Sequence, residues 1–148
     1  MSTPRNILVA TDFGEASQEA LKYAFEIATA HDAKVHLVHV VPPESRNSDV
    51  APPEPLLDPD TWAEHELDRL AEPYRASGHL GECHAPVGDP TTEILRDAER
   101  LGVDLIVVGA NEHTRLNRLL RSSVAGHIFR RASCPVAILR GSTSHGVS

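Results

Sequence analysis

Two cysteines, one tryptophan, two tyrosines and three phenylalanines are all that this 148-residue chain holds of those residue types. Cys83 and Cys134 are too few for a disulfide-stapled scaffold and read as small hydrophobes of a reducing compartment. No apolar run approaches the roughly 20 residues of a membrane-spanning helix. The start, MSTPRNILVATD, enters a strand-like run without the apolar stretch and cleavage site of a secretory leader. The expected location is the cytoplasm, with no membrane partner. Basic residues are also short: 14 Lys and Arg against 21 Asp and Glu leave a net charge of −7. That balance lacks the basic footprint nucleic-acid binding needs, so no nucleic-acid partner is expected. There is no Gly-x-Ser-x-Gly elbow, and Cys134, just before Pro135, has no evident base beside it. With no nucleophile and visible activator, the expectation is a protein that is not an enzyme.

What is present is enough for one domain with one sizeable core, spanning residues 1–148. The hydrophobic share of 41% and the charged share of 24% are those of a globular protein. Asn6 to Thr11 (NILVAT) reads as a buried strand stopped by Asp12 and Gly14. From Glu15 to His31, Ala20, Leu21, Ala24, Phe25 and Ala28 recur on one helical face. Lys34 to Val41 (KVHLVHVV) is a second strand, rich in branched residues. Pro42 to Pro59 holds six prolines, several acids and no periodicity, and reads as a long loop or flap. A helix follows from Asp60 to Ser77 with Trp62, Leu67 and Leu70 as core candidates, kinked or shortened by Pro73.

Gly81 to Val87 is a weak third strand. Asp89 then caps a helix that has Pro90 at its first position, turns Ile94, Leu95 and Ala98 inward and stops at Gly102. Val103 to Val108 is the most apolar strand and so is expected inside the sheet. Ser122 to Arg131 is the last helix, Pro135 to Leu139 the last strand, and residues 141–148 a flexible tail. Strands alternating with helices imply a doubly wound parallel α/β sheet covered on both faces. Ligands of such sheets bind beyond the carboxyl ends of the strands, where the winding reverses. With strand order 3-2-1-4-5, the loops Thr11–Gly14 and Gly109–Glu112 converge on that crevice.

NILVATDFGEASQEALKYAFEIA, VHLVHVV, VGDPTTEILRDAERLGVDLIVVG and SCPVAIL, in that order, resemble the landmarks of the universal stress protein family over nearly the whole chain. The resemblance implies a five-stranded sheet of order 3-2-1-4-5, of the adenine-nucleotide-binding type. It also implies a homodimer paired through the last strand, here Pro135–Arg140. One branch of the family binds ATP through Gly-x-x-Gly, nine residues, then Gly-Ser/Thr. A second branch lacks that pattern and does not bind ATP. On this chain the first glycine is Gly109, but the second falls on Glu112 and the third on Ser122, with Ser123 and Val124 following. The positions that hold adenosine in nucleotide-binding members, Thr11, Asp12 and Val40, are intact.

Glycine at such a turn lets backbone N–H groups approach phosphate oxygens. Glu112 adds bulk and a negative charge, and two unit charges about 4 Å apart interact by roughly 4 kcal/mol at an effective dielectric near 20. Ser122 is the milder change, because hydroxyls and N–H groups at a helix start still suit an anion. Arg115, Arg118 and Arg121 in the same loop either chelate phosphate or form a solvated face whose leucines turn inward.

The expectation is a dimeric, non-catalytic stress-response regulator with a degraded phosphate loop. Its ligand would be an adenosine-containing molecule such as AMP, and a protein partner is the other candidate. The rival is an ATP-binding member with slow hydrolysis, its magnesium held by Asp12 or Glu112. Asp12 has a simpler role open to it, as a cap or hydrogen-bond partner of its own loop. The nine histidines show no metal-ligand spacing: His36 and His39 lie on opposite sides of a strand, Cys83 and His84 point apart, and His65 has no paired ligand. No metal site is expected.

Overall fold

A computed structural model of the chain describes residues 3–43, 58–110 and 124–140. The elements are β1 (Asn6–Ala10), α1 (Glu15–His31), β2 (Lys34–Val38), α2 (Pro59–Ala71), a 3₁₀ turn (Glu72–Ser77), β3 (Leu80–His84), α3 (Pro90–Arg100), β4 (Leu105–Ala110), α4 (Val124–Arg131) and β5 (Val136–Arg140). All strand pairs are parallel, in the order β3-β2-β1-β4-β5. β1 is the middle strand, and the apolar β4 is internal, between β1 and β5.

Side chains alternate across the sheet and sort into two cores. Ile7, Val9, Val35, Leu37 and Val107 meet Ala20, Leu21, Ala24 and Phe25 of α1 and Leu67 of α2. On the opposite face Leu8, Val38, Ile106 and Val108 meet Ile94 of α3 and Ala125 and Ile128 of α4. Full burial of each large aliphatic side chain contributes roughly 1.5–3 kcal/mol, so this double layer supplies the main driving force.

Three boundaries differ from the sequence reading by three residues or more. The helix expected to run to Ser77 is α-helical only to Ala71 and tightens into the 3₁₀ turn, because Pro73 has no N–H for the i→i−4 ladder. That turn is fastened by Tyr74, whose ring stacks on Phe25 at 4.0 Å and 9°. Strands two and three end at Val38 and His84 rather than Val41 and Val87. Pro86 cannot donate to a ladder, so beyond His84 the two chains touch only through an isolated Val41–Val87 bridge. Trp62 is half-buried and lies outside both cores, Leu70 is packed at the margin of the first, and Leu67 is buried within it.

The helix starts follow the sequence closely. Asp89 Oδ2 accepts from the Thr92 N–H at 3.0 Å and the Thr92 hydroxyl at 2.9 Å, with Pro90 in the first turn. Asp58 caps α2 in the same way, accepting from the Thr61 N–H at 2.8 Å. The 44–57 part of the proline-rich segment, the 111–123 part of the arginine loop and the 141–148 tail lie outside the described residues.

Candidate functional site

Winding reverses between β1 and β4, and the chain leaves their carboxyl ends side by side. A cavity of about 310 Å³ opens there, at the small end of the range for ligand sites. Ala10, Val38, Val40, Ile94, Val108 and Ala125 are among its apolar lining residues, and Thr11, Asp12, Ser17 and His39 are its polar ones. No lysine or arginine is among the described lining residues.

The loop after β1 is held by its own hydrogen bonds. The Thr11 N–H donates to the Val38 carbonyl at 2.9 Å, continuing the ladder one residue past the strand. Thr11 Oγ1 accepts from the Phe13 N–H at 2.9 Å. Asp12 Oδ1 accepts from the Gly14 N–H at 2.8 Å and from the Ser17 hydroxyl at 2.6 Å, while Ser17 Oγ accepts from the Asp12 N–H at 3.0 Å. Asp12 therefore takes the loop-capping role, but with one oxygen only: Oδ2 of this exposed residue has no partner among the described residues. Phe13 sits in the left-handed region at φ 66°, a conformation that side chains rarely adopt and that marks stored strain beside the cavity.

His39 braces the same loop. Its Nδ1–H donates to the Thr11 carbonyl at 2.8 Å, and its ring lies 4.4 Å from that of Phe13. Burial lowers its pKa from the usual 6.5, while the Thr11 carbonyl and Asp12 pull the other way. The imidazole is thus neutral at physiological pH, with Nδ1 protonated and Nε2 an acceptor. Trp62 at the start of α2 packs edge-on against Phe13 at 5.5 Å, so the chain's single tryptophan reports on this loop.

Of the site residues expected from sequence, Thr11, Asp12, Val40, Gly109 and Val124 come together on this one cavity. Ser122, Ser123, Arg115, Arg118, Arg121 and Glu112 lie outside the described residues. Gly109 has a second reason to be glycine. A Cβ there would stand 2.4 Å from the Ala16 carbonyl carbon and 2.5 Å from its oxygen, because the first turn of α1 lies directly on β4. His39, Ser17, Pro90 and Ile94 were missed. His39 was legible from its place beside Val40 at the end of the second strand, and Pro90 from the helix start that follows the third.

The other histidines are occupied elsewhere. His36 accepts the Glu82 N–H at Nδ1 (3.0 Å), so its Nε2–H donates to Asn6 Oδ1 (3.1 Å) beneath Gly81. Burial lowers its pKa as well. His84 Nδ1 donates to the buried Asp97 carboxylate at 2.8 Å, while Cys83 beside it is exposed. Among the described residues no group of three or more His, Cys, Asp or Glu is placed to hold a metal ion, and no helix is long and apolar enough to cross a membrane.

The parallel sheet of order β3-β2-β1-β4-β5, with helices on both faces and a cavity at its switch point, defines a doubly wound α/β domain. The model of the universal stress protein family matches residues 3–140, and the chain belongs to that family. Universal stress protein MJ0531 of Methanocaldococcus jannaschii is 31% identical over 149 residues, covering 92% of this chain and 82% of the relative. Among solved structures, UspA from Lactobacillus plantarum is 27% identical with a TM-score of 0.72, covering 95% of this chain and 100% of the other. The universal stress protein from Archaeoglobus fulgidus in complex with dAMP is 25% identical with a TM-score of 0.67, covering 93% and 99%.

Proposed function

We propose that this protein is a non-catalytic stress-response regulator of the cytoplasm that works as a homodimer and seats the adenosine part of a small ligand in the β1–β4 crevice. The observation that carries the reading is the polar inventory of the cavity. Thr11, Asp12 and Ser17 stand beside an apolar floor, and no lysine or arginine is among the described lining residues. Such a wall welcomes ribose hydroxyls and base amino groups, which donate, and gives nothing to a chain of phosphates. Asp12 Oδ2 is the natural acceptor for a hydroxyl or amino donor. The related protein in complex with dAMP supports a nucleoside monophosphate as the kind of ligand.

On this reading Glu112 and Ser122, standing where ATP-binding members have glycine, weaken the phosphate half of the site. The residues present fit AMP better than ATP with magnesium. The last strand offers its edge for the dimer, and a protein partner would read the liganded state.

The test is a pair of substitutions followed by Trp62 fluorescence. Glu112→Gly should raise ATP affinity by roughly tenfold or more by relieving charge repulsion, with adenosine unchanged. Asp12→Ala should weaken adenosine and AMP together. Unchanged ATP affinity in the first variant, or unchanged adenosine affinity in the second, would contradict the proposal.

A further inference from the structure

A second cavity, of about 330 Å³, opens on the other face of the sheet from the floor of the crevice. There α1 packs along β1, β4 and β5 while α2 packs along β3, and the cavity is the furrow between the two helices. Leu21 of α1, Leu70 of α2, Tyr74 of the 3₁₀ turn and Phe13 of the loop after β1 give it an apolar, aromatic lining. Two charged side chains of α2 stand together in its wall. Glu66 Oε2 and Arg69 Nη1 are 3.4 Å apart, with Glu66 largely sheltered at 23% exposure and Arg69 out in solvent at 77%. Among the described lining residues these are the only charged ones, and Gln18 adds an amide that can donate and accept.

We propose that this furrow is a second ligand site, taking a free α-amino acid with an apolar or aromatic side chain. Its ammonium goes to Glu66, its carboxylate to Arg69, and its side chain onto Phe13, Leu70 and Tyr74. The charge pattern makes the choice. A simple anion would meet Glu66 and a simple cation would meet Arg69, whereas a molecule with both charges on neighbouring atoms satisfies both. An exposed pair three residues apart on a helix contributes little to the fold, so a ligand parts Glu66 from Arg69 without weakening α2. Each half of the pair then gains a charge-assisted hydrogen bond in its place. The volume lies at the small end of the range for ligand sites, as a single amino acid requires.

Phe13 belongs to both sites. It lines the furrow, while its N–H donates at 2.9 Å to the hydroxyl of Thr11, a residue of the crevice. Its backbone is held in the left-handed region between the two. An amino acid in the furrow therefore touches the loop that shapes the crevice mouth. The proposal does not depend on what the crevice binds, because none of its charged contacts lies there.

The experiment is a calorimetric titration of the full chain with L-phenylalanine, its amide, its N-acetyl derivative and glycine. Expected is saturable binding of L-phenylalanine at one site, with each of the other three weaker by roughly tenfold or more, since each leaves one of the three contacts unmade. Glu66→Gln should weaken L-phenylalanine by a similar factor and leave the N-acetyl derivative, which has no ammonium, unchanged. Arg69→Gln should do the same with the amide as the unaffected ligand. An unchanged thermal midpoint verifies that both variants fold, and the analogue series on the unaltered protein stands without them. No saturable heat from L-phenylalanine overturns the proposal. So does an amide, an N-acetyl derivative or glycine that binds as tightly, or L-phenylalanine binding that survives both substitutions.

Discussion

Gly109 lies under Ala16 so closely that a Cβ on it would meet the Ala16 carbonyl carbon at 2.4 Å. The glycine that reads in the sequence as the start of a phosphate turn is also what lets the first turn of α1 settle on β4. That packing places Ser17, and through it Asp12, at the mouth of the crevice.

Gly109→Ala is therefore expected to destabilise the fold by about 1–3 kcal/mol, since the obstacle is backbone and cannot swing aside. Gly88→Ala is the control: there the nearest atoms are the Glu93 carboxylate end, at 2.8 Å, which can move. Urea midpoints of the two variants check this, and equal midpoints would show that α1 shifts freely on β4.

Acidification should weaken the fold through His36 and His39. Burial lowers both pKa values below the usual 6.5, so between the folded and unfolded values the unfolded chain binds more protons. Their contribution is present above 6.5 and is lost as pH falls through the lowered values. Denaturant midpoints between pH 8 and pH 5 should fall below pH 6.5, and the slope should flatten when His36 and His39 are both replaced by glutamine. A slope unaltered in the double variant would place the effect elsewhere.

Phe25 is 5% exposed and stacks on Tyr74 at 4.0 Å, so Phe25→Ala should cost about 3–5 kcal/mol. A double-mutant cycle with Tyr74→Ala should return a coupling of roughly 0.5–1.5 kcal/mol for the ring pair. Additive losses would mean that the 3₁₀ turn is held by something other than this stack.

The edge of β5 gives a test of the proposed dimer. The Ile106 N–H donates to the Pro135 carbonyl at 3.0 Å, and in a parallel ladder the residues facing β4 alternate from there. The Ile138 N–H consequently points to the open edge. Ile138→Pro should leave the β4 ladder paired and convert the dimer to monomer in sedimentation velocity. A variant that stays dimeric would move the interface off this strand.

Much of this architecture is legible in the residues. The strand order, the Asp89-Pro90 helix start and the convergence of Thr11, Asp12, Val40, Gly109 and Val124 follow from periodicity, capping and the family resemblance, whereas Pro59 opens α2 although the sequence pattern leaves it in the loop. The misreadings have local causes. Pro73 ends an α-helical ladder whose apolar pattern continues past it, and Pro86 interrupts a strand pattern that runs to Val87. The brace made by His39 is not legible in the sequence because its partner, the Thr11 carbonyl, lies 28 residues away along the chain. The second constraint on Gly109 comes likewise from a helix, α1, that lies far from it along the chain.

Calorimetric titration of nucleotide-stripped protein with adenosine, AMP and ATP, the last with and without magnesium, tests the central claim most directly. The account predicts that adenosine and AMP bind with similar affinity and that ATP gains nothing over AMP, magnesium or not. ATP binding clearly tighter than AMP, or heat from none of the three, would contradict it.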